Sequence, residues 1–186
     1  MRMDRRSELT ASRLLNTAAE RELERIFREY GEVAKSRKLA AAVVRARQEK
    51  PFAVTSDLVA LCDGVLGRSR PGQLPAPTLV FQALRIAVND ELGELERALP
   101  AATELLNREG RLAVISFHSL EDRIVKNFFR DEAASCSCPP GLPVCICGKI
   151  PALRAVTRKA VTAGPEELEK NRRSAPAKLR VAEKII

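Results

Sequence analysis

The stretch Ser116-Phe-His-Ser-Leu-Glu-Asp-Arg123 gathers two hydroxyls, one imidazole, two carboxylates and one guanidinium within eight residues. Such a set can orient a polar substrate by hydrogen bonds and exchange a proton with it. Ser116, His118 and Ser119 fall at the carboxyl end of an expected short strand, where open α/β sheets place their ligands. The helix expected to follow would turn its positive dipole end toward anions or electron-rich groups. The plainer alternative is local, with Ser119 and Asp122 capping that helix and His118 satisfying backbone groups. A nucleophilic triad finds little support, because Ser116 and His118 have no third member at a recognisable spacing. A zinc deaminase needs H-x-E with P-C-x-x-C, whereas this chain has H-x-x-E and no C-x-x-C. One histidine in the whole chain also excludes H-E-x-x-H zinc sites and 2-His-1-carboxylate iron sites.

Cysteine supplies a second constellation. Cys136, Cys138, Cys145 and Cys147 lie within twelve residues, with Pro139-Pro140-Gly141 turning the chain between the pairs. Four thiolates could wrap tetrahedrally around a structural Zn²⁺, although C-x-C leaves less slack than the usual C-x-x-C. Reduced thiols are the alternative, or disulfides in an exported protein. Two polar sets complete the inventory. Gln82, Arg85, Asn89, Asp90 and Glu91 share a long helical pattern; they form a solvated face, or Asn89 and Glu91 reach a base edge in a cleft. Asn171-Arg-Arg-Ser-Ala-Pro-Ala-Lys-Leu-Arg180 is a basic segment broken by proline, readable as a phosphate-contacting loop or as a charged hairpin.

Charge follows the same division. The chain has 186 residues with a net charge of +8, of which residues 1–50 carry +5, residues 51–148 carry −3 and residues 149–186 carry +6. Basic flanks around an acidic middle suit a polyanionic partner such as nucleic acid, or simply a solvated surface. The nine glycines form neither G-x-G-x-x-G nor G-x-x-x-x-G-K-[ST], so neither common phosphate loop is present. The longest apolar run, Leu39 to Val44, is far too short for a membrane helix. The basic start is followed by no apolar segment of signal-peptide type, so a cytoplasmic location without membrane partners is expected.

Helices are expected through the first half of the chain to position these groups. Thr17-x-x-Glu20 has the form of a capping box, Leu23, Ile26, Phe27 and Tyr30 mark one helical face, and Gly31 stands where a left-handed C-terminal cap is common. A second helix is expected over Val33–Gln48 and a third capped by Thr55. Gly67–Pro77 reads as a loop. The steps Phe81, Leu84, Val88, Leu92, Leu95 and Leu99 predict one long helix ended by Pro100, followed by a short helix over Ala101–Asn107. Leu112–Phe117 reads as a buried strand, and Ser119-x-x-Asp122 as the cap of a helix carrying Ile124, Val125, Phe128 and Phe129. Leu153–Thr162 and Lys178–Ile185 are expected strands, with a short helix between them that starts at Pro165.

Several of these stretches resemble one family closely. Arg2-Met-Asp4, Leu15-Asn-Thr17, the run Phe81–Leu95, the run Gly110–Lys126, the C-P-P…P-x-C-x-C-G loop and Lys178-Leu-Arg180 are similar to the bacterial 16S rRNA (cytosine-N4) methyltransferases of the H type, the MraW-like family. The resemblance runs from Met1 to the C-terminus. It implies the C-terminal part of a Rossmann-like class I methyltransferase sheet, hence an α/β fold, with an inserted all-α helical subdomain. On that basis residues 1–6 belong to the methyltransferase domain, 7–75 form the helical subdomain, and 76–186 form the C-terminal part of the methyltransferase domain with a Cys-rich loop at 135–151. The implied activity is S-adenosylmethionine-dependent N4-methylation of a cytosine in the decoding region of 16S rRNA. Asn89, Glu91, Ser116, His118 and Asp122 are the implied catalytic side chains. Arg123, Arg158, Arg172, Arg173, Lys178 and Arg180 are the implied RNA contacts.

The chain departs from the family pattern in one respect. The glycine-rich D-x-T-x-G-x-G-G-H loop that the family carries ahead of its R-M-D motif has no counterpart in these 186 residues. The cofactor half is therefore expected to lie outside this chain, leaving an open sheet edge and no activity in the chain alone. Three roles follow as expectations: the C-terminal part of the enzyme, a non-enzymatic basic RNA- or ribosome-binding remnant, or a subunit that works with a complementing N-terminal chain. A homodimer is a further possible partner arrangement.

Overall fold

The computed structural model describes residues 1–67, 74–139 and 146–186. The fold is mixed α/β, and its contacts divide into two units, Met1–Glu91 and Leu92–Ile186.

The first unit is helical. It contains α1 (Ala11–Thr17), α2 (Glu20–Glu29), α3 (Ser36–Glu49), α4 (Thr55–Leu66) and α5 (Ala76–Asn89). Their apolar faces converge on one core, in which Leu23, Ile26, Phe27, Leu39, Val43, Leu58, Cys62, Val80 and Leu84 are all buried. Capping differs from the sequence pattern at the start. Thr10, not Thr17, caps a helix, its hydroxyl accepting from the Arg13 N–H at 3.0 Å. Thr17 lies in the last turn of α1 and donates its hydroxyl back to the Arg13 carbonyl at 2.8 Å, so the Thr17-x-x-Glu20 pattern is not a cap. Gly31 is likewise needed for a different reason from the one expected. The left-handed residue here is Glu32, with φ 49°. A Cβ on Gly31 would lie 2.9 Å from the carbonyl oxygens of Leu79 and Phe27, so its absence lets α2 and α5 approach. At α4, Thr55 is not the cap; Asp57 reaches back to the backbone N–H groups of Ala53 and Val54 at 3.4 Å each.

The single helix expected over Phe81–Leu99 is two helices. Asp90 adopts a left-handed conformation, φ 50°, which ends α5 and starts α6 (Glu91–Leu105). Pro100 sits inside α6 rather than ending it. It is exposed, so the carbonyl deprived of its N–H partner can turn to water. The expected short helix over 101–107 is the end of α6.

The second unit combines α6 with β1 (Arg111–Ser116), α7 (Ser119–Ala133), β2 (Leu153–Ala155), β3 (Val161–Thr162), α8 (Pro165–Lys170), a single 3-10 turn (Arg172–Ser174) and β4 (Lys178–Lys184). The sheet order is β1-β4-β2, with β3 also on β4, and every pairing is antiparallel. Leu99, Val125, Phe129, Leu153 and Ala182 form its core. Leu153–Thr162 was expected as one strand and is two, because Thr157 interrupts the ladder: its hydroxyl accepts from the Val181 N–H at 2.9 Å. β1 is not the buried strand its composition predicts. It stands at the end of the sheet order, and Ile115 is 60% exposed. Among the described residues its outer edge carries no strand. The central strand is fixed by charge as well as by its ladder, with Arg111 on β1 and Arg154 on β2 both donating to Glu183 from either side. The Arg111 guanidinium, joined by that of Arg154, holds the Glu183 carboxyl below its ordinary range. No helix among the described residues is long and apolar enough to cross a membrane.

Candidate functional site

β1 delivers Ser116 to the sheet end, opposite Lys178 in register. Ser116 is buried, and its hydroxyl donates to the Lys178 carbonyl at 3.4 Å. The chain then turns through Phe117 and His118 into α7. The cap of α7 is His118 rather than Ser119. Its Nδ1 accepts from the Glu121 N–H at 3.3 Å, and the Glu121 carboxylate accepts from the N–H groups of Phe117 and His118 at 2.8 and 3.2 Å. The box is therefore shifted one residue from the Ser119-x-x-Asp122 pattern, because the imidazole nitrogen does what a serine oxygen does elsewhere. Burial would raise the Glu121 carboxyl, but hydrogen bonds from His118 and the Phe117 N–H outweigh it and hold the group below its ordinary range.

This arrangement settles where the imidazole proton sits. Because Nδ1 is an acceptor, the neutral ring carries its proton on Nε2. That nitrogen is buried and has no hydrogen-bond partner among the described residues. Glu121 Oε1 is its close ionic neighbour at 3.3 Å, while Oε2 of the same carboxylate accepts the two backbone N–H groups. Buried polar groups are nearly always bonded, so an exception calls for an explanation.

Asp122 lies one residue further along α7 and is buried. Arg180 Nε and Nη2 approach its two oxygens at 2.7 and 3.1 Å, and Lys178 Nζ lies 3.4 Å away. The Arg180 guanidinium holds the Asp122 carboxyl below its ordinary value of 3.8. Two carboxylates in the first turn of α7 already answer its dipole, so the expected preference of this helix end for an external anion is met internally.

A cationic concavity lies nearby on the same unit. Lys126, Phe129, Arg130, Thr157, Arg158 and Arg180 line a cavity of about 530 Å³. Arg158 and Arg180 belong to the sequence-derived basic set; Lys126 and Arg130 do not. Their signal was available, since Arg123, Lys126 and Arg130 recur at helical spacing on α7. Arg172 and Arg173 are exposed on the 3-10 turn, and Lys178 and Arg180 are partly buried on β4.

Asn89 and Glu91 belong to the first unit. The Asn89 side chain accepts from the Met3 N–H at 2.7 Å and donates to the carbonyls of Met1 and Arg85 at 3.1 and 2.8 Å. It therefore ties the Arg2-Met-Asp4 segment to the end of α5. Glu91 forms a two-pronged pair with Arg85, both contacts at 2.9 Å. A second cavity, of about 300 Å³, is lined mostly by apolar groups such as Leu15, Phe52, Leu58 and Phe81, and includes none of the candidate residues.

Of the cysteine set, Cys136, Cys138 and Cys147 come together, with their sulfurs within 4.8 Å of one another. Cys145 lies outside the described residues.

Comparison with known proteins places these features in context. Residues 1–185 match the model of the MraW methylase family. The ribosomal RNA small subunit methyltransferase H of Heliobacterium mobile is 53% identical over 187 residues, covering 100% of this chain and 60% of that protein. The proteins of the same name from Caldicellulosiruptor saccharolyticus and Carboxydothermus hydrogenoformans are each 50% identical, again over 100% of this chain and 60% of their own length. The chain thus spans about three fifths of the curated relatives it matches.

Proposed function

The chain belongs to the MraW methylase family, and from that premise we propose that it serves S-adenosylmethionine-dependent methylation of small-subunit rRNA, on the exocyclic N4 of a cytosine in the decoding region. The observation that supports the reading best is the buried Nε2 of His118, in the turn that joins Ser116 of β1 to Asp122 of α7.

S-adenosylmethionine supplies an electrophilic methyl group when bound. The six glycines whose surroundings are defined do not form a loop for that cofactor. A Cβ on Gly64, Gly67, Gly148 or Gly164 would meet nothing within 4 Å, and Gly31 and Gly110 are packed against this chain's own backbone. None of these six glycines forms a cradle for a cofactor, and no cofactor contact is assigned to them.

The work left to this chain is orienting the base. The amine at N4 is a poor nucleophile because its lone pair is delocalised into the ring, so its N–H bonds need acceptors and its position must be fixed. A base buried in a duplex or stack would also have to be turned out. The His118 Nε2–H, buried in the chain alone, donates to an acceptor on the flipped base edge once substrate binding uncovers it. Ser116 spends its own proton on the Lys178 carbonyl and so offers lone pairs. Asp122, kept ionised by Arg180 and Lys178, is a poor proton acceptor and a good orienting group. The family resemblance also gives a substrate-orienting role to Asn89, the last residue of α5, and to Glu91, the first of α6. Arg123, Arg158, Arg172, Arg173, Lys178 and Arg180, joined by Lys126 and Arg130, contact rRNA phosphates. In the same reading residues 7–75 are a helical insertion in the methyltransferase domain.

The test joins this chain to the part of the Heliobacterium mobile relative that the match leaves out. The product is incubated with S-adenosylmethionine and unmethylated small subunits, and digested rRNA is assayed for N4-methylcytidine. A folded, cofactor-binding fusion that methylates no cytosine would overturn the function. His118→Asn keeps a capping acceptor and removes the Nε2–H, so unfolding stability should change by less than about 0.5 kcal/mol while the methylation rate falls about tenfold or more. An unchanged rate would remove His118 from the site.

A further inference from the structure

The cysteine cluster is not explained by packing. Its surroundings are open: Ile146 and Ile150, which flank Cys147, are 80% and 69% exposed. Burial of apolar surface therefore does not account for three sulfurs converging within 4.8 Å. The geometry matches what a soft metal demands. With Zn–S bonds of about 2.3 Å, the sulfurs at two corners of a tetrahedron stand about 3.8 Å apart. The Sγ atoms of Cys136 and Cys147 are 3.9 Å apart, so one edge of that tetrahedron is already formed. The Cys138 sulfur, the third corner, lies within 4.8 Å of both.

The backbone supports the same arrangement. The Ser137 N–H points at Cys147 Sγ and the Cys138 N–H at Cys136 Sγ, each at 3.3 Å. Donors aimed at sulfur stabilise the thiolate form that binds metal. The returning arm of the loop is also anchored to the end of α7: the Ala152 N–H donates to the Glu132 carbonyl at 3.0 Å, and Lys149 Nζ donates to the Asp131 carbonyl. A preformed edge on an anchored loop lowers the ordering cost of binding.

We propose that Cys136, Cys138 and Cys147 bind a thiophilic divalent ion, Zn²⁺, as a structural clasp on the loop between α7 and β2. The proposal is independent of the methylation reading, and its test uses metal content rather than activity. The full chain is purified under reducing conditions with Zn²⁺ present, dialysed, and analysed for metal. About one Zn²⁺ per chain is expected, held by three thiolates with a water completing the tetrahedron. Replacing Zn²⁺ by Co²⁺ should give the near-ultraviolet sulfur-to-metal charge-transfer band of a thiolate site. Cys136→Ser and Cys147→Ser should each lower metal retention at least about tenfold, while Cys62→Ala, in the helical core, should retain it. The Co²⁺ spectrum of the wild-type chain keeps the test open even if a variant misfolds. Metal below about one tenth per chain without a charge-transfer band overturns the proposal. So does retention undiminished in both serine variants, or a Cys136–Cys147 disulfide recovered from the reduced preparation.

Discussion

Replacing Arg180 by methionine removes the guanidinium that contacts both oxygens of Asp122, at 2.7 and 3.1 Å, but leaves a side chain long enough to fill the space. The two side chains are only 12% and 13% exposed, so the perturbation strands a mostly desolvated charge. A buried pair broken from one side costs about 3–5 kcal/mol. Lys178 remains 3.4 Å from Asp122, which places Arg180→Met near the lower figure. Asp122→Asn strands the guanidinium instead and should cost a similar amount. The double variant should cost clearly less than the two singles together, with a coupling of about 2 kcal/mol. Urea unfolding followed by far-ultraviolet circular dichroism at pH 7 measures all four chains. The pH dependence supplies a second check. Because the folded carboxyl lies below its ordinary value of 3.8, its contribution is complete above that value and is lost as pH falls through the folded one. The stability gap between wild type and Asp122→Asn should therefore stay constant from neutrality to about pH 5 and close under stronger acid. Single-variant costs within about 0.5 kcal/mol, as for an exposed pair, or strict additivity, would refute the reasoning.

Two further perturbations address the helical unit. Gly31→Ala places a Cβ 2.9 Å from two backbone carbonyls and 3.1 Å from the Ala83 Cβ; neither carbonyl can swing away as a side chain would, so a loss of about 1–3 kcal/mol in urea unfolding is expected. A midpoint equal to wild type would mean that α2 and α5 are not in close contact there. Burial pushes the Cys62 thiol up to about 11, so at pH 8 iodoacetamide should modify Cys136 and Cys138 of the metal-free chain well before Cys62, which reacts only on unfolding. Peptide mass spectrometry of a labelling time course reads this directly, and equal rates would contradict the burial.

Much of this protein was legible before folding. The amphipathic steps through Leu23, Ile26 and Phe27 and through Leu39 and Val43 located helices, because a buried helix face imposes its period on the sequence. The run Leu112–Phe117 marked a strand by its β-branched residues after a glycine turn, although the strand lies at the end of the sheet order. Long shared motifs carried the family, since a resemblance spanning the whole chain does not depend on where any side chain points. Local polar patterns were less informative. Thr17, Thr55 and Ser119 each stood in a capping pattern, yet Thr10, Asp57 and His118 hold the helix ends. Several polar residues within one turn can satisfy the same N–H groups, and packing chooses among them. The break at Asp90 was hidden because the apolar spacing continues across it. Only the fold brought Arg180 and Lys178 to Asp122 from far along the chain, and turned an expected helix-end anion site into an internally neutralised one. The fold also decided that the His118 Nε2–H is buried near Glu121 Oε1 and that three cysteines converge. Composition and period determine which faces bury and which elements form. Pairing across long sequence separations is decided only when β4 settles between β1 and β2, and the site's charges become fixed with that register.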